Sequence, residues 1–314
     1  TDRNATYASG SGSNTLNFTY TVQAGDSAAD LEYLSTASLT AGTTIRDAAL
    51  NDATLTLPAL GSGTSLGGSK AIVINTTVPA VTNVTSSTAN GTYKNGSPNV
   101  SIQVTFSVAV DITGSPTLAL NSGGSATCAA ATNTTTMTCT YVIGASDNAA
   151  DLDYSATTSL ALAGGTINAN IGGSAANLTL FTPGAAGSLG ANKAIVIDNT
   201  APTVTSVTSS LADGTYKAGQ VVPIQVVFSE IVNVNTGGGT PYIRLVTGTP
   251  ATTDVSYASG TGTTTLVFNY TIAAGNTSAD LDYSATTALG LLGGIIQDTA
   301  GNNSLLAAQL SRTY

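Results

Sequence analysis

Internal repetition at the scale of a whole domain constrains this chain more than any other feature. Tyr7-Ala-Ser-Gly-Ser-Gly-Ser-Asn-Thr-Leu-Asn-Phe-Thr-Tyr20 returns as Tyr257-Ala-Ser-Gly-Thr-Gly-Thr-Thr-Thr-Leu-Val-Phe-Asn-Tyr270, and a diverged copy runs from Cys128 to Tyr141. Asp26…Asp30-Leu-Glu32-Tyr33 is matched by Asp147…Asp151-Leu-Asp153-Tyr154 and by Asn276…Asp280-Leu-Asp282-Tyr283. Lys70-Ala-Ile-Val-Ile-Asn75 and Lys193-Ala-Ile-Val-Ile-Asp198 lie 123 residues apart, as do Gly91-Thr-Tyr-Lys94 and Gly214-Thr-Tyr-Lys217. A period of that length is too long for a solenoid unit and suits a domain with its own core. The phase divides the 314 residues into the second half of a repeat (1–75), a complete repeat (76–198) and a third repeat that lacks its last strand (199–314). We call these copies one, two and three. Neither an initiator Met nor a signal-peptide pattern stands at Thr1, and both ends fall inside a repeat, so the chain is expected to be a window on a longer protein.

Each copy reads as strands. Leu16, Phe18, Tyr20 and Val22 alternate with Asn17, Thr19 and Thr21, which is period two with one buried face. Ile102–Phe106 and Ile224–Phe228 do much the same. Asn90-Gly91, Asp213-Gly214 and Gly12-Ser13 supply turns. No stretch carries a helical stripe, apart from one short turn expected at Asp26–Leu31 with Asp26 as its cap. About seven short strands per repeat is the pattern of an antiparallel β-sandwich.

Composition excludes several functions. The chain has no His, which removes Ser-His-Asp and Cys-His chemistry and any His-ligated zinc. Eight Lys and Arg against 17 Asp and Glu leave no basic patch for nucleic acid. No apolar run approaches the ~18 residues of a membrane helix. The Asn-X-Thr triplets at Asn17, Asn83 and Asn269 match a glycosylation acceptor, but chance is the default in a chain this rich in Thr and Asn. Thr236-Gly-Gly-Gly-Thr240 is no phosphate loop, since no Lys-Ser/Thr follows it.

Asp198-Asn-Thr-Ala-Pro-Thr-Val-Thr, Asp213-Gly-Thr-Tyr-Lys-Ala-Gly, Val226-Val-Phe-Ser-Glu230 and Asp298-Thr-Ala-Gly-Asn302 resemble the bacterial Ig-like repeat of large surface adhesins and biofilm-associated proteins. The resemblance covers essentially the whole chain. It implies tandem Ig-like antiparallel β-sandwich domains forming a rod, an extracellular and non-enzymatic role in cell adhesion or biofilm, and calcium at the junctions.

Two candidate sites follow. Constant offsets place Cys128 where Tyr7 and Tyr257 stand, and Cys139 where Phe18 and Phe268 stand, opposite each other across a hairpin. Losing two aromatics and gaining two cysteines together favours one cross-strand disulfide and an oxidising compartment; the alternative is two buried thiols. In the acidic segments a glycosidase pair is disfavoured because the pattern recurs in every copy. Calcium competes with plain helix capping. With strands running alternately up and down, stacking of copies two and three is expected to gather Asp147, Asp151, Asp153, Asp198, Glu230 and Asp298. Between copies one and two, Asn75, Val108 and Ala169 replace the last three of these, leaving Asp26, Asp30 and Glu32 without partners. The expected role is a stalk segment that projects or links adhesive regions, its partners being neighbouring repeats of a longer chain or neighbouring subunits and an unknown surface receptor. One rival is a filament or sheath subunit whose missing strand comes from a neighbour. The other, an array of carbohydrate-binding modules, is opposed by the absence of Trp and by Tyr and Phe at core-phase positions.

Overall fold

The computed structural model describes residues 2–306 and is all-β, of sandwich type, with two curled antiparallel sheets. The end of copy three, 307–314, lies outside the described residues. Copy two is complete. Its strands are β5 (Val81–Ser86), β6 (Gly91–Tyr93), β7 (Val100–Thr113), β8 (Thr117–Ala119), β9 (Ser125–Cys128), β10 (Ala131–Tyr141), β11 (Leu160–Ala161), β12 (Thr166–Ala169) and β13 (Ile195–Ile197). The sheet order is β11-β8-β9-β10-β7-β12, with β5 also on β7. The long strand β7 belongs to both halves of the sandwich: its first part pairs with β5 and β10, its last residues with β12. Along β7, Val100, Ile102, Val104 and Phe106 face one core, as alternation demands. One helical turn, α2 (Leu189–Asn192), capped by Ser188, leads into β13, which pairs with β6 in parallel. Leu189, Ile195 and Ile197 on this closing segment are buried in the core.

Copy three repeats the plan with β14 (Val204–Ser209), β15 (Val221–Asn235), β16 (Tyr242–Val246), β17 (Thr252–Ser259), β18 (Thr263–Thr271), β19 (Leu289–Gly290) and β20 (Ile295–Gln297). Its sheet order is β14-β15-β18-β17-β16-β19, with β20 on β15. Among the described residues no strand lies beside Gly214–Tyr216, the counterpart of β6.

Among its described residues, copy one holds β1 (Thr6–Ser9) paired with β2 (Asn17–Thr19), β3 (Ser27–Ala28) paired with β4 (Ile74–Asn75), and α1 (Leu66–Ser69), capped by Ser65. Two expectations are corrected here. The turn at Asp26–Leu31 is not helical, because residues 27–28 are held extended against β4. The face Leu16-Phe18-Tyr20-Val22 is not buried: the described residues contain no counterpart of β7 for it to pack on, and Phe18 stays 41% exposed.

Candidate functional site

The hairpin pair is the clearest case of one position serving two chemistries in three copies. Tyr7 faces Phe18, Cys128 faces Cys139, and Tyr257 faces Phe268 in the ladders of the three copies. The aromatic pairs are edge-to-face with centroids 6.0 Å apart. In copy two the cysteines are bonded, with Cα atoms 3.8 Å apart, the closer of the two antiparallel pairings. In the aromatic copies the Tyr hydroxyl also accepts the amide of Ser11 or Thr261 at 2.9 Å and so braces the hairpin loop.

The six acids expected at one junction divide into two groups. Asp147, Asp151 and Asp153 are not gathered with the others. Asp147 is buried and accepts the Tyr141 hydroxyl at 2.7 Å and the Gly144 amide at 2.8 Å. Burial, opposed by the Ser122 contact and reinforced by Asp147, pushes the Tyr141 hydroxyl up to about 12. Asp26 makes the same two bonds with Tyr20 and Gln23, and Asn276 makes them with Tyr270 and Ala273. Since a neutral Asn fills the seat in copy three, the position clamps a turn and does not need charge. In copy one the clamp is ionic: the Tyr20 hydroxyl, the Gln23 amide and the Arg3 guanidinium hold Asp26 down to about 2. Asp153 accepts the amides of Tyr154 and Gly184 at 2.8 and 2.9 Å. In copy one Glu32 receives Ser65 Oγ at 2.6 Å and the Gly67 amide at 3.0 Å. Asp30 accepts the Ile72 amide at 3.1 Å. Asp151 lies beside Asp153, and burial followed by that neighbour's charge raises its carboxyl. In copy one Glu32 thus holds the α1 turn and Asp30 the segment after it, because bare helix-turn amides need acceptors, whereas in copy two Asp153 holds the loop at Gly184 instead.

The remaining three acids do converge. One oxygen each of Asp198, Glu230 and Asp298 lies within 4.8 Å of the others. Asp198 follows β13 and takes the Thr200 amide on Oδ1 at 2.9 Å. Glu230 lies inside β15, where pairing with β18 is interrupted between Val227 and Val232. Asp298 follows β20, is 3% exposed, and takes the Asn302 amide and side chain at 2.8 Å each. Burial, then the charges of Asp198 and Asp298, push the Glu230 carboxyl up. None of the three takes part in an ion pair among the described residues. The nearby ammonium of Lys94 donates to the Gly301 carbonyl. Three crowded carboxylates with an unneutralised charge form a hard-oxygen donor set of the kind calcium takes.

The sequence reading missed three residues that bind this junction. Asn302 Nδ2 donates to the Asp198 carbonyl at 3.0 Å. Asn199 Nδ2 donates to the carbonyls of Asp147 and Gly144. Lys94 spans from copy two to copy three. The spacing Asp298-x-x-x-Asn302 was the available signal for the first, as a side-chain-closed loop.

The junction between copies one and two uses the same backbone with different side chains. Asn75 stands where Asp198 does and accepts the Thr77 amide at 2.9 Å. Its Nδ2 donates to the Ile171 carbonyl at 3.2 Å. Gly172, at φ +86°, lets the loop touch the linker: a Cβ there would lie 1.9 Å from the Asn75 carbonyl oxygen. Val108 and buried Ala169 occupy the places of Glu230 and Asp298.

No helix is long and apolar enough to cross a membrane among the described residues. In comparisons with known proteins, no family model matches the chain and no curated protein matches its sequence.

Proposed function

We propose that the chain is a stalk segment of an extracellular bacterial surface protein, a series of sandwich domains that projects or links adhesive regions. It has no catalytic role in this reading. The observation that carries it is the pair of junctions: in each, the last strand of one copy runs through a short Pro-containing linker into the next, and a loop of the following copy hydrogen-bonds back onto that linker. A joint tied on two sides limits bending, which is what a stalk requires. The disulfide in copy two suits an oxidising, extracellular setting.

Calcium belongs to the proposal at one junction only. Asp198, Glu230 and Asp298 would hold it, with backbone carbonyls and water completing six to eight oxygens. Bound there, it would neutralise the crowded carboxylates and lock copy three onto copy two. Small-angle scattering and single-particle imaging with calcium and with chelator test this. The expected result is a wider spread of inter-domain angle on chelation at the junction of copies two and three, with the other junction unchanged. An equal spread at both, indifferent to chelator, removes calcium from the reading; free rotation at both joints removes the stalk.

A further inference from the structure

The chain has two Asn-Gly dipeptides, Asn90-Gly91 and Asn95-Gly96, both in copy two. In such a pair the glycine amide nitrogen can attack the carboxamide carbon of the asparagine, because no side chain on the second residue stands in the way. The fold treats the two pairs differently. The Gly91 amide, at the start of β6, donates to the Ala194 carbonyl at 3.0 Å, and Asn90 Oδ1 accepts the Ala194 amide at 3.2 Å. Both reacting groups are therefore held where β6 meets the segment leading into β13, and they come free only when that pairing opens.

Asn95 lacks this protection, and its own side chain is the reason. The turn Lys94-Asn95-Gly96-Ser97 is closed by the Ser97 amide on the Lys94 carbonyl at 2.9 Å, with Gly96 at φ +86°. Copy three has the same turn in Lys217-Ala218-Gly219-Gln220, again with its glycine at φ +86°. There the Gly219 amide donates to the Ile272 carbonyl at 2.9 Å. In copy two the equivalent carbonyl, that of Ile143, is taken at 2.8 Å by Asn95 Nδ2 instead. The Gly96 amide is left without a protein acceptor among the described residues, next to the carboxamide it would attack. Asn95 and Gly96 are both exposed, so water reaches them. Asn95 also sits at the joint with copy three. Its backbone amide donates to Asn199 Oδ1 of the linker at 2.7 Å, and Lys94 beside it bonds the Gly301 carbonyl of copy three.

We propose that Asn95 is a self-modifying site, converting to aspartate and isoaspartate and so loosening the joint between copies two and three. The Gly96 nitrogen bonds to Asn95 Cγ, the Cγ–Nδ2 bond breaks, and ammonia leaves with the proton that the Gly96 amide gives up. Water then opens the cyclic imide. Opening at one carbonyl restores the main chain with an aspartate; opening at the other routes the main chain through the side-chain carbon. Nothing is oxidised or reduced, and water is the only co-reactant. Neither product keeps Nδ2, so the Ile143 carbonyl loses its donor. Each product also adds a negative charge to a joint that already holds Asp198, Glu230 and Asp298.

The test ages the whole protein in mildly alkaline buffer beside a synthetic peptide of residues 86–99, which has no partner strand. Peptide mapping follows conversion at each asparagine. The free peptide should convert alike at both. In the protein Asn95 should convert at least about tenfold faster than Asn90, whose reaction waits on strand opening. Rates within a few-fold of each other in the protein, a faster Asn90, or no product at Asn95 while the peptide converts would each overturn the site. Hydrogen exchange then reads the joint. The converted protein should exchange faster than the fresh one at the amides of residues 95 and 199, which are bonded to Asn199 and Asn148. Unchanged exchange there overturns the loosening.

Discussion

Copy two and copy three share seven strands in the same sheet order, but among the described residues only copy two also carries the closing segment. The ladders of β7 with β10 and of β15 with β18 form in both, so the closing segment is not needed to make the sheets. What it provides is burial. Copy two has fully buried Leu152, Tyr154 and Leu189; copy three leaves Leu281 and Tyr283 half-exposed. Copy one extends the series. With neither a β7 counterpart nor a second wall, it buries no apolar side chain among its described residues, and Tyr7 remains 51% exposed. Hydrogen-bonded ladders are local, while a core requires both faces of the sandwich.

The largest effect that can break this comparison is a buried charge. Leu152→Asp should cost copy two at least about 4 kcal/mol, because a carboxylate enters a closed core. Leu281→Asp should cost copy three roughly 1 kcal/mol, since that site opens to water. Denaturant unfolding followed by hydrogen exchange in each copy measures both. Similar losses would mean that Leu281 is as fully buried in solution as Leu152 is.

The hairpin pair comes next. Cys128→Ser with Cys139→Ser should destabilise copy two by up to about 3 kcal/mol, as the closed loop is short. Cys128→Tyr with Cys139→Phe should recover part of that, because an edge-to-face pair is worth about 1 kcal/mol beyond its burial. Recovery of nothing would show that copy two has adapted to the bridge. Peptide mapping without reductant checks the bond itself; two free thiols would refute it.

The turn clamp gives a smaller contrast. Asp147→Asn should cost under about 1 kcal/mol, since Asn276 already makes both bonds in copy three. Asp147→Ala should cost about 1–3 kcal/mol by leaving buried Tyr141 without that acceptor. Thermal unfolding of the two variants separates a need for charge from a need for an acceptor.

The smallest effect sharpens the contrast between junctions. Glu230 is raised above its ordinary 4.5, so its folded form holds a proton more tightly than its unfolded form. Its contribution to stability is therefore full below 4.5 and is lost as pH rises through its raised folded value. In chelator, copy three should lose stability over that window, and Glu230→Gln should flatten the profile. With calcium the same substitution should weaken the joint. A wild-type profile already flat in chelator would mean that the three carboxylates do not feel each other.

The sequence alone determined the period, the all-β class and the contrast between Asp198 and Asn75, and it favoured the bond between Cys128 and Cys139 that the structure shows. These are properties of spacing and of identity at equivalent positions, and a repeated chain prints its own alignment. Only the tertiary structure decided which acids meet. Asp147, Asp151 and Asp153 look like Asp198, Glu230 and Asp298 on paper, but turn amides and a Tyr hydroxyl draw Asp147 and Asp153 inward, and Asp151 stays beside Asp153. The structure also decided how far period two at Leu16–Val22 is covered: Leu16 and Tyr20 are half-buried, while Phe18 and Val22 stay exposed. An alternating strand states which face is apolar; whether that face is covered depends on residues far away in the chain.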